Sequence, residues 1–112
     1  MDVENQLAVG LGKELLAHKQ TLSFSESCTG GLASSLVTDV AGSSEYLIGS
    51  IVTYTNEAKH NLLKVKQNTL DAYGAVSEET ACEMAQGVRE LFGSDYGVGI
   101  TGNAGPSGSE GK

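Results

Sequence analysis

The stretch Ser-Glu-Ser-Cys-Thr-Gly-Gly at residues 25–31 joins the two elements that decide the fold. Before it, Leu22 and Phe24 alternate with polar residues as in a β-strand, and after it apolar residues recur at helical spacing up to Val40. The stretch is therefore predicted to turn from a strand end into a helix start. A helix start offers unpaired N–H groups and partial positive charge, and the two glycines let a ligand approach the backbone. The layout fits an anion-holding or catalytic turn, and it also fits a polar loop that caps a helix.

Helical and strand patterns alternate on both sides of this turn. About the first 18 residues predict an amphipathic helix with Leu7, Leu11 and Leu15 on one face, joined by Ala8 and Leu16. The other predicted elements are a strand at 21–25, a helix at 32–40, a strand at 46–55, a short helix at 57–63 capped by Asn56, a helical turn at 69–73, a helix between Ser77 and Gly93, and a strand at 96–100.

Strands separated by helices predict an α/β layered domain, and residues 1–112 read as a single domain. Gly97 and Gly99 indicate that another element packs tightly against the last strand. The final residues, 101–112, form a glycine-rich loop with no element after it, so the domain is expected to be incomplete at its C-terminus.

Composition excludes several classes of function. A net charge of −7 argues against direct nucleic-acid binding, which needs a basic face. No apolar run approaches about 20 residues, so no membrane span is expected. Two cysteines without metal-ligand spacing indicate reduced thiols in a cytoplasmic protein, with no metal and no cofactor.

Nucleophilic chemistry remains as the candidate function. Ser27 and Ser44 lie at element starts, and a serine becomes a useful nucleophile when a base takes its proton. Lys59 can be that base if burial keeps it neutral, and Tyr54 at a strand end can relay a proton. The alternative is a solvated Lys59 and a core Tyr54.

Five blocks of sequence resemble, in the same order, the CinA C-terminal domain family. They are Glu-Ser-Cys-Thr-Gly-Gly at 26–31, Thr-Asp-Val-Ala-Gly-Ser-Ser at 38–44, Val-Thr-Tyr-Thr-Asn-Glu-Ala-Lys at 52–59, Gly-Ala-Val-Ser-Glu at 74–78 and Thr-Gly-Asn-Ala-Gly-Pro at 101–106. Members of this family include nicotinamide mononucleotide deamidases, which release ammonia and nicotinic acid mononucleotide in pyridine-nucleotide salvage. The resemblance implies an α/β/α sandwich, a longer C-terminal part and, in many relatives, an N-terminal partner domain. Core strands missing from this chain would expose apolar surface, which predicts a homo-oligomer.

The resemblance also implies an amidohydrolase site of Ser–Lys type for a small nucleotide substrate. Neutral Lys59 would be the base, Ser44 the first choice of nucleophile and Ser27 the second, with Tyr54 orienting Lys59 or assisting proton transfer. The expected substrate-binding residues include Glu26 and the segment Thr29, Gly30 and Gly31, where backbone N–H groups would hold a phosphate or an oxyanion. Thr101, Gly102 and Asn103, at another strand end, would line the same pocket.

Two rival interpretations stay open. Cys28 could be the nucleophile, because a helix start lowers a thiol's pKa, although no histidine is evident beside it. Alternatively, the domain binds a nucleotide or a protein without catalysis, in a role tied to competence or the DNA-damage response.

Overall fold

The computed structural model describes residues 3–102, which form helices around a three-stranded parallel sheet of order β2-β1-β3. The elements are α1 Val3–His18, β1 Leu22–Glu26, α2 Leu32–Thr38, a 3-10 turn at Ser43–Glu45, β2 Leu47–Val52, α3 Asn56–Leu63, α4 Gln67–Tyr73, α5 Glu78–Phe92 and β3 Tyr96–Ile100. Each strand and helix predicted from the sequence is therefore present.

Helices cover both faces of the sheet. On one face α1 and α2 pack over β1, in a core that includes Leu15, Phe24 and Val37. On the other face α3, α4 and α5 form a second core that includes Leu63 and Met84. The layers confirm the predicted α/β/α sandwich, and they bury the whole of β1 at the centre.

The two faces of β1 differ in chemistry. Leu22 and Phe24 enter the apolar core beneath α1 and α2. Ser23 points the opposite way, because successive side chains of a strand alternate, and its Oγ contacts the Val88 carbonyl and the Ser94 hydroxyl. The face of β1 toward α5 is therefore lined by serines.

The predicted inward face of α1 is partly wrong. Ala8 and Leu15 are buried, but Leu7 is 69% exposed and Leu11 is 38% exposed. Leu16, expected beside them, is also exposed. A different side of α1 faces the core because the Tyr46 ring packs directly against Gly12. A Cβ at position 12 would clash with that ring.

Smaller differences occur around β2. The strand ends at Val52, short of the predicted residue 55, and α3 is capped by the Thr55 hydroxyl, which accepts from the Ala58 N–H, where Asn56 was the predicted cap. The tight packing predicted for β3 is confirmed. A Cβ at Gly97 or Gly99 would strike a backbone carbonyl of α5.

Candidate active site

The carboxyl ends of the parallel strands bring three segments together. Ser27 follows β1, Thr53 follows β2 and Thr101 follows β3. The Ser27 N–H donates to the Ile100 carbonyl at 3.1 Å, and the Thr53 N–H donates to the Glu26 carbonyl at 2.8 Å, so backbone hydrogen bonds hold the segments together beyond the strands. Ligands of α/β sheets bind at this edge.

Lys59 reaches this edge from α3 and is buried, with only 1% of the residue exposed. Its Nζ lies 2.8 Å from the Thr53 carbonyl oxygen, 3.3 Å from the Tyr54 carbonyl oxygen and 3.0 Å from Ser27 Oγ. No carboxylate in the described part of the chain forms an ion pair with it. Burial lowers the pKa of Lys59 below its ordinary 10.5, and the nearby charge of Cys28 offsets this only in part.

These contacts would give the amine a defined orientation in its neutral form. A neutral lysine has two N–H groups and one lone pair, and the two carbonyls of Thr53 and Tyr54 occupy the two N–H groups. The lone pair is then left for the Ser27 hydroxyl, which lies within hydrogen-bond distance. The arrangement can remove a proton from Ser27, the step that activates a serine nucleophile.

Glu26 ends β1 and lies completely buried against the start of α2. Burial alone raises the pKa of its carboxyl, but hydrogen bonds, led by those of Ser34 and Thr29, lower it below the ordinary 4.5. Both oxygens are therefore committed to the turn, which gives Glu26 a structural role in place of the predicted substrate-binding one. The donors to Oε1 are Thr29 Oγ1 at 2.6 Å, Gly31 N at 3.2 Å and Ala33 N at 3.0 Å, and the donors to Oε2 are Ser34 N at 2.9 Å and Ser34 Oγ.

The two glycines of the turn have positive φ angles, 62° at Gly30 and 107° at Gly31, which explains the residue type. Their N–H groups are occupied, because Gly30 donates to the Ser27 carbonyl and Gly31 donates to Glu26. The N–H groups of Cys28 and Thr29 donate to no group that residues 3–102 supply. The donors available to an oxyanion therefore lie directly after Ser27, one residue earlier than expected.

Ser44 is not brought to this site. It lies in the 3-10 turn that precedes β2, whereas Lys59 follows β2, and a strand of that length separates the two edges of the sheet by about 20 Å. Ser44 is exposed, and no hydrogen bond links it to the pair. The geometry therefore makes Ser27, and not the first choice Ser44, the partner of Lys59.

Tyr54 meets Lys59 through its backbone only. The residue is 71% exposed, which is contrary to both the predicted proton relay and the core position considered as its alternative. Its carbonyl is the group that contacts the lysine. The alternative of a solvated Lys59 is likewise wrong.

The segment after β3 closes one side of the site. Thr101 donates its hydroxyl to the Ala75 carbonyl at 2.7 Å, and a Cβ at Gly102 would lie 3.4 Å from Cys28 Sγ. Cys28, which directly follows Ser27, is therefore in contact range of the segment after β3. Asn103, the third residue predicted here, lies outside the described residues.

Sequence reasoning missed two contributors to this site. Thr53 supplies the closest carbonyl to Lys59, and Ser34 supplies two of the hydrogen bonds to Glu26. Thr53 gave no signal, because its contribution comes from the backbone. Ser34 could have been found, since it lies in the first turn of α2, where N–H groups are unpaired.

The fold and site define an α/β protein with a buried serine–lysine pair at the carboxyl edge of a parallel sheet. Within residues 3–102, no group of three or more His, Cys, Asp or Glu side chains is placed to hold a metal ion. None of the helices described there has both the length and the apolar character needed to cross a membrane.

The chain belongs to the CinA C-terminal domain family, whose model matches residues 4–112. A CinA-like protein of Desulforapulum autotrophicum is 58% identical over 98 residues, which are 88% of this chain and 23% of that protein. A CinA-like protein of Endomicrobium trichonymphae is 53% identical over 106 residues, or 95% of this chain and 25% of that protein. The chain thus spans about a quarter of the length of these relatives.

Solved structures show the same fold. The competence damage-inducible protein A of Klebsiella pneumoniae superposes with a TM-score of 0.93 at 34% identity, covering 97% of this chain and 68% of that chain. A competence/damage inducible protein of Agrobacterium tumefaciens also gives a TM-score of 0.93, at 38% identity, covering 99% of this chain and 67% of that chain.

Proposed function

We propose that this domain hydrolyses the carboxamide of nicotinamide mononucleotide to nicotinic acid mononucleotide and ammonia, with Ser27 as nucleophile and Lys59 as base. The observation that carries the proposal is the distance of 3.0 Å between Lys59 Nζ and Ser27 Oγ. A buried lysine without a carboxylate partner in the described structure is suited to proton transfer and poorly suited to fold stability. The substrate follows from the family resemblance.

The proposed reaction has two halves. The Ser27 oxygen attacks the carboxamide carbon while its proton passes to Lys59, and the oxyanion is held by the N–H groups of Cys28 and Thr29. The Lys59 ammonium then gives its proton to the leaving nitrogen, the C–N bond breaks, and ammonia departs from an acyl ester on Ser27. Water, losing a proton to Lys59, attacks the ester, and that proton returns to Ser27 as the acid is released.

The activity is tested by ammonia release from nicotinamide mononucleotide. The 112-residue chain is compared with a form extended by the C-terminal segment that the family resemblance implies. In whichever of these two forms releases ammonia, here called the active form, Lys59→Met should lower kcat by about 10²–10⁴-fold, the usual contribution of a general base. The control is Lys13→Met, at an exposed lysine of α1, which should leave kcat unchanged. Turnover that survives Lys59→Met contradicts the proposal.

Cys28 remains a second candidate for the nucleophile, because it directly follows Ser27 and is close enough to Lys59 to interact with it electrostatically. A thiol-directed alkylator decides this point, and full retained activity of the alkylated protein excludes a cysteine mechanism. A non-catalytic role in binding nucleotides or proteins is the other candidate. It predicts that nicotinamide mononucleotide binds without turnover and that Lys59→Met leaves this binding intact.

A further inference from the structure

Two hydroxyl groups beside the Ser27–Lys59 pair lack a hydrogen-bond partner. Ser25 and Thr53 are both 0% exposed, and neither Ser25 Oγ nor Thr53 Oγ1 has a partner among residues 3–102. The other serines on this face of β1 are paired. Ser23 bonds to Val88 and Ser94, and Ser27 bonds to Lys59.

The backbone places the two hydroxyls on the same face of neighbouring strands. Ser25 pairs with Ile51 in β2, and Thr53 follows the end of β2 at Val52. The Thr53 N–H still donates to the Glu26 carbonyl, and Thr53 is buried between exposed Val52 and Tyr54, so the strand alternation continues and its side chain lies on the face of Ser25 and Ile51. Neighbouring strands lie about 4.8 Å apart and a parallel strand rises about 3.3 Å per residue, so the Cα atoms of these diagonal neighbours are about 8 Å apart. The Thr53 carbonyl accepts from Lys59 Nζ at 2.8 Å, and Ser25 precedes Ser27 by two residues, so both residues adjoin the Ser27–Lys59 pair along the chain.

Two unpaired hydroxyls in a dry interior are costly, because each lost its bonds to water on folding. A water molecule is stable inside a protein when it has about two to four polar partners. Two unpaired hydroxyls on one face at this spacing can supply the two partners that such a water needs. An apolar residue of the same shape, such as valine at position 53, would carry no such cost if the site were dry.

We infer that one buried water bridges the Ser25 and Thr53 hydroxyls, and that these two residues position this water near the Ser27–Lys59 pair, where its dipole lowers the cost of charging the amine. Its catalytic role rests on the proposed amidohydrolase function. Its presence does not, because the two unpaired hydroxyls exist whether or not the protein turns over substrate.

A double-mutant cycle on the unfolding equilibrium tests the shared water. Ser25→Ala and Thr53→Val should each lower the stability. The unfolding constant of the double variant should differ by about threefold or more from the value that additive effects would give, because the first substitution already removes the bridge and the second has no bridge left to remove. The matched control pairs Ser23→Ala with Thr53→Val and should be additive within about twofold, since Ser23 has its own partners. Single variants that are both more stable than wild type, with additive effects, would overturn the inference.

An NMR titration of Lys59 tests the link to the reactive pair and needs no turnover. Thr53→Val should lower the pKa of Lys59 further, because a drier site disfavours the ammonium form, and Thr53→Ser, which keeps the hydroxyl, should restore it. The titration is repeated with Cys28→Ala, because the Cys28 charge also acts on this amine. If wild type, Thr53→Val and Thr53→Ser all have the same pKa of Lys59, the positioning role is overturned, whatever the outcome of the ammonia assay.

Discussion

At the scale of single residues, the buried Lys59 distinguishes this domain from an ordinary α/β fold. The charged form of a buried lysine is penalised, and no carboxylate in the described structure compensates it. Three acceptors surround its nitrogen, two of them backbone carbonyls that hold it against Ser27. Burial of Lys59 therefore lowers the stability of the fold, and under the proposed function it keeps the amine able to accept a proton.

The lowered pKa of Lys59 predicts the pH dependence of activity and stability. Activity should rise with pH through the folded pKa, because only the neutral amine accepts a proton. Between that pKa and the ordinary 10.5, the unfolded chain binds more protons than the folded chain, so stability should also rise with pH in this window. Unfolding curves measured across this range should show the slope in wild type and a smaller slope in Lys59→Met. Equal slopes would contradict a perturbed Lys59.

The sequence predicted Lys59 as base and ranked Ser44 before Ser27 as nucleophile, whereas the structure brings Ser27 and not Ser44 to Lys59. Both serines were predicted at element starts, and that similarity concealed their difference. Ser27 and Lys59 each follow a strand, whereas Ser44 precedes one, and in a parallel sheet these positions lie at opposite edges. Tyr54 was predicted at a strand end beside Lys59, but the strand ends at Val52 and the Tyr54 side chain is exposed.

At the scale of elements, the buried Glu26 joins β1 to α2. A short helix of 7 residues has little stability of its own, and this carboxylate satisfies N–H groups of its first turn. The sequence predicted the turn and its helix but placed Glu26 with the substrate. A carboxylate directed toward a ligand and one directed back at the backbone have the same sequence pattern.

Glu26→Gln should destabilise the domain by about 2–3 kcal/mol at neutral pH, because the amide N–H₂ faces donors and the charge is lost. The lowered pKa of Glu26 means that its stabilisation is present above 4.5 and is lost as the pH falls through the folded pKa. The difference between wild type and variant in urea unfolding should therefore shrink in acid. Glu90→Gln, at an exposed position of α5, is the control and should stay within about 0.5 kcal/mol of wild type.

Replacing either of two helical glycines by alanine should change the stability of the domain, in opposite directions at the two positions. A Cβ at Gly87 in α5 would strike the Leu63 carbonyl, whereas a Cβ at Gly10 in α1 meets nothing within 4 Å. Gly87→Ala should cost about 1–3 kcal/mol through overpacking. Gly10→Ala should raise stability by up to about 1 kcal/mol through helix propensity. Thermal unfolding of both variants checks this pair, and a stabilised Gly87→Ala would show that α3 and α5 are packed less closely than described.

At the scale of the whole molecule, β3 is an edge strand beside an apolar groove. Within residues 3–102 it pairs with β1 alone. A cavity of about 530 Å³ between α1 and β3 is lined partly by Leu11, Tyr96 and Val98, and Leu7 lies exposed on the same helix. Unpaired strand edges and exposed apolar patches favour association.

The 112-residue chain should therefore self-associate, as predicted from the sequence. Leu11→Glu should shift light-scattering masses toward the monomer, because a charge in the groove opposes a second apolar surface. Leu62→Glu, at an exposed leucine of α3, is the matched control and should have no effect. A monomer at every concentration in the unaltered chain would contradict the prediction.

The layered fold could be predicted from the alternation of strand and helix patterns, and the family from five ordered motifs. Which face of α1 points inward could not, because that choice depends on Gly12 meeting Tyr46, a contact between residues distant in sequence. The positions at the sheet edge likewise depend on strand order, which local patterns leave undetermined.

Peptide mapping by mass spectrometry, after acid quench of the active form turning over nicotinamide mononucleotide, would locate the acyl intermediate of the proposed reaction. The serine–lysine mechanism predicts an acyl adduct on Ser27, which disappears in Ser27→Ala together with ammonia release. An adduct on Cys28 or Ser44, or undiminished ammonia release from Ser27→Ala, would contradict it.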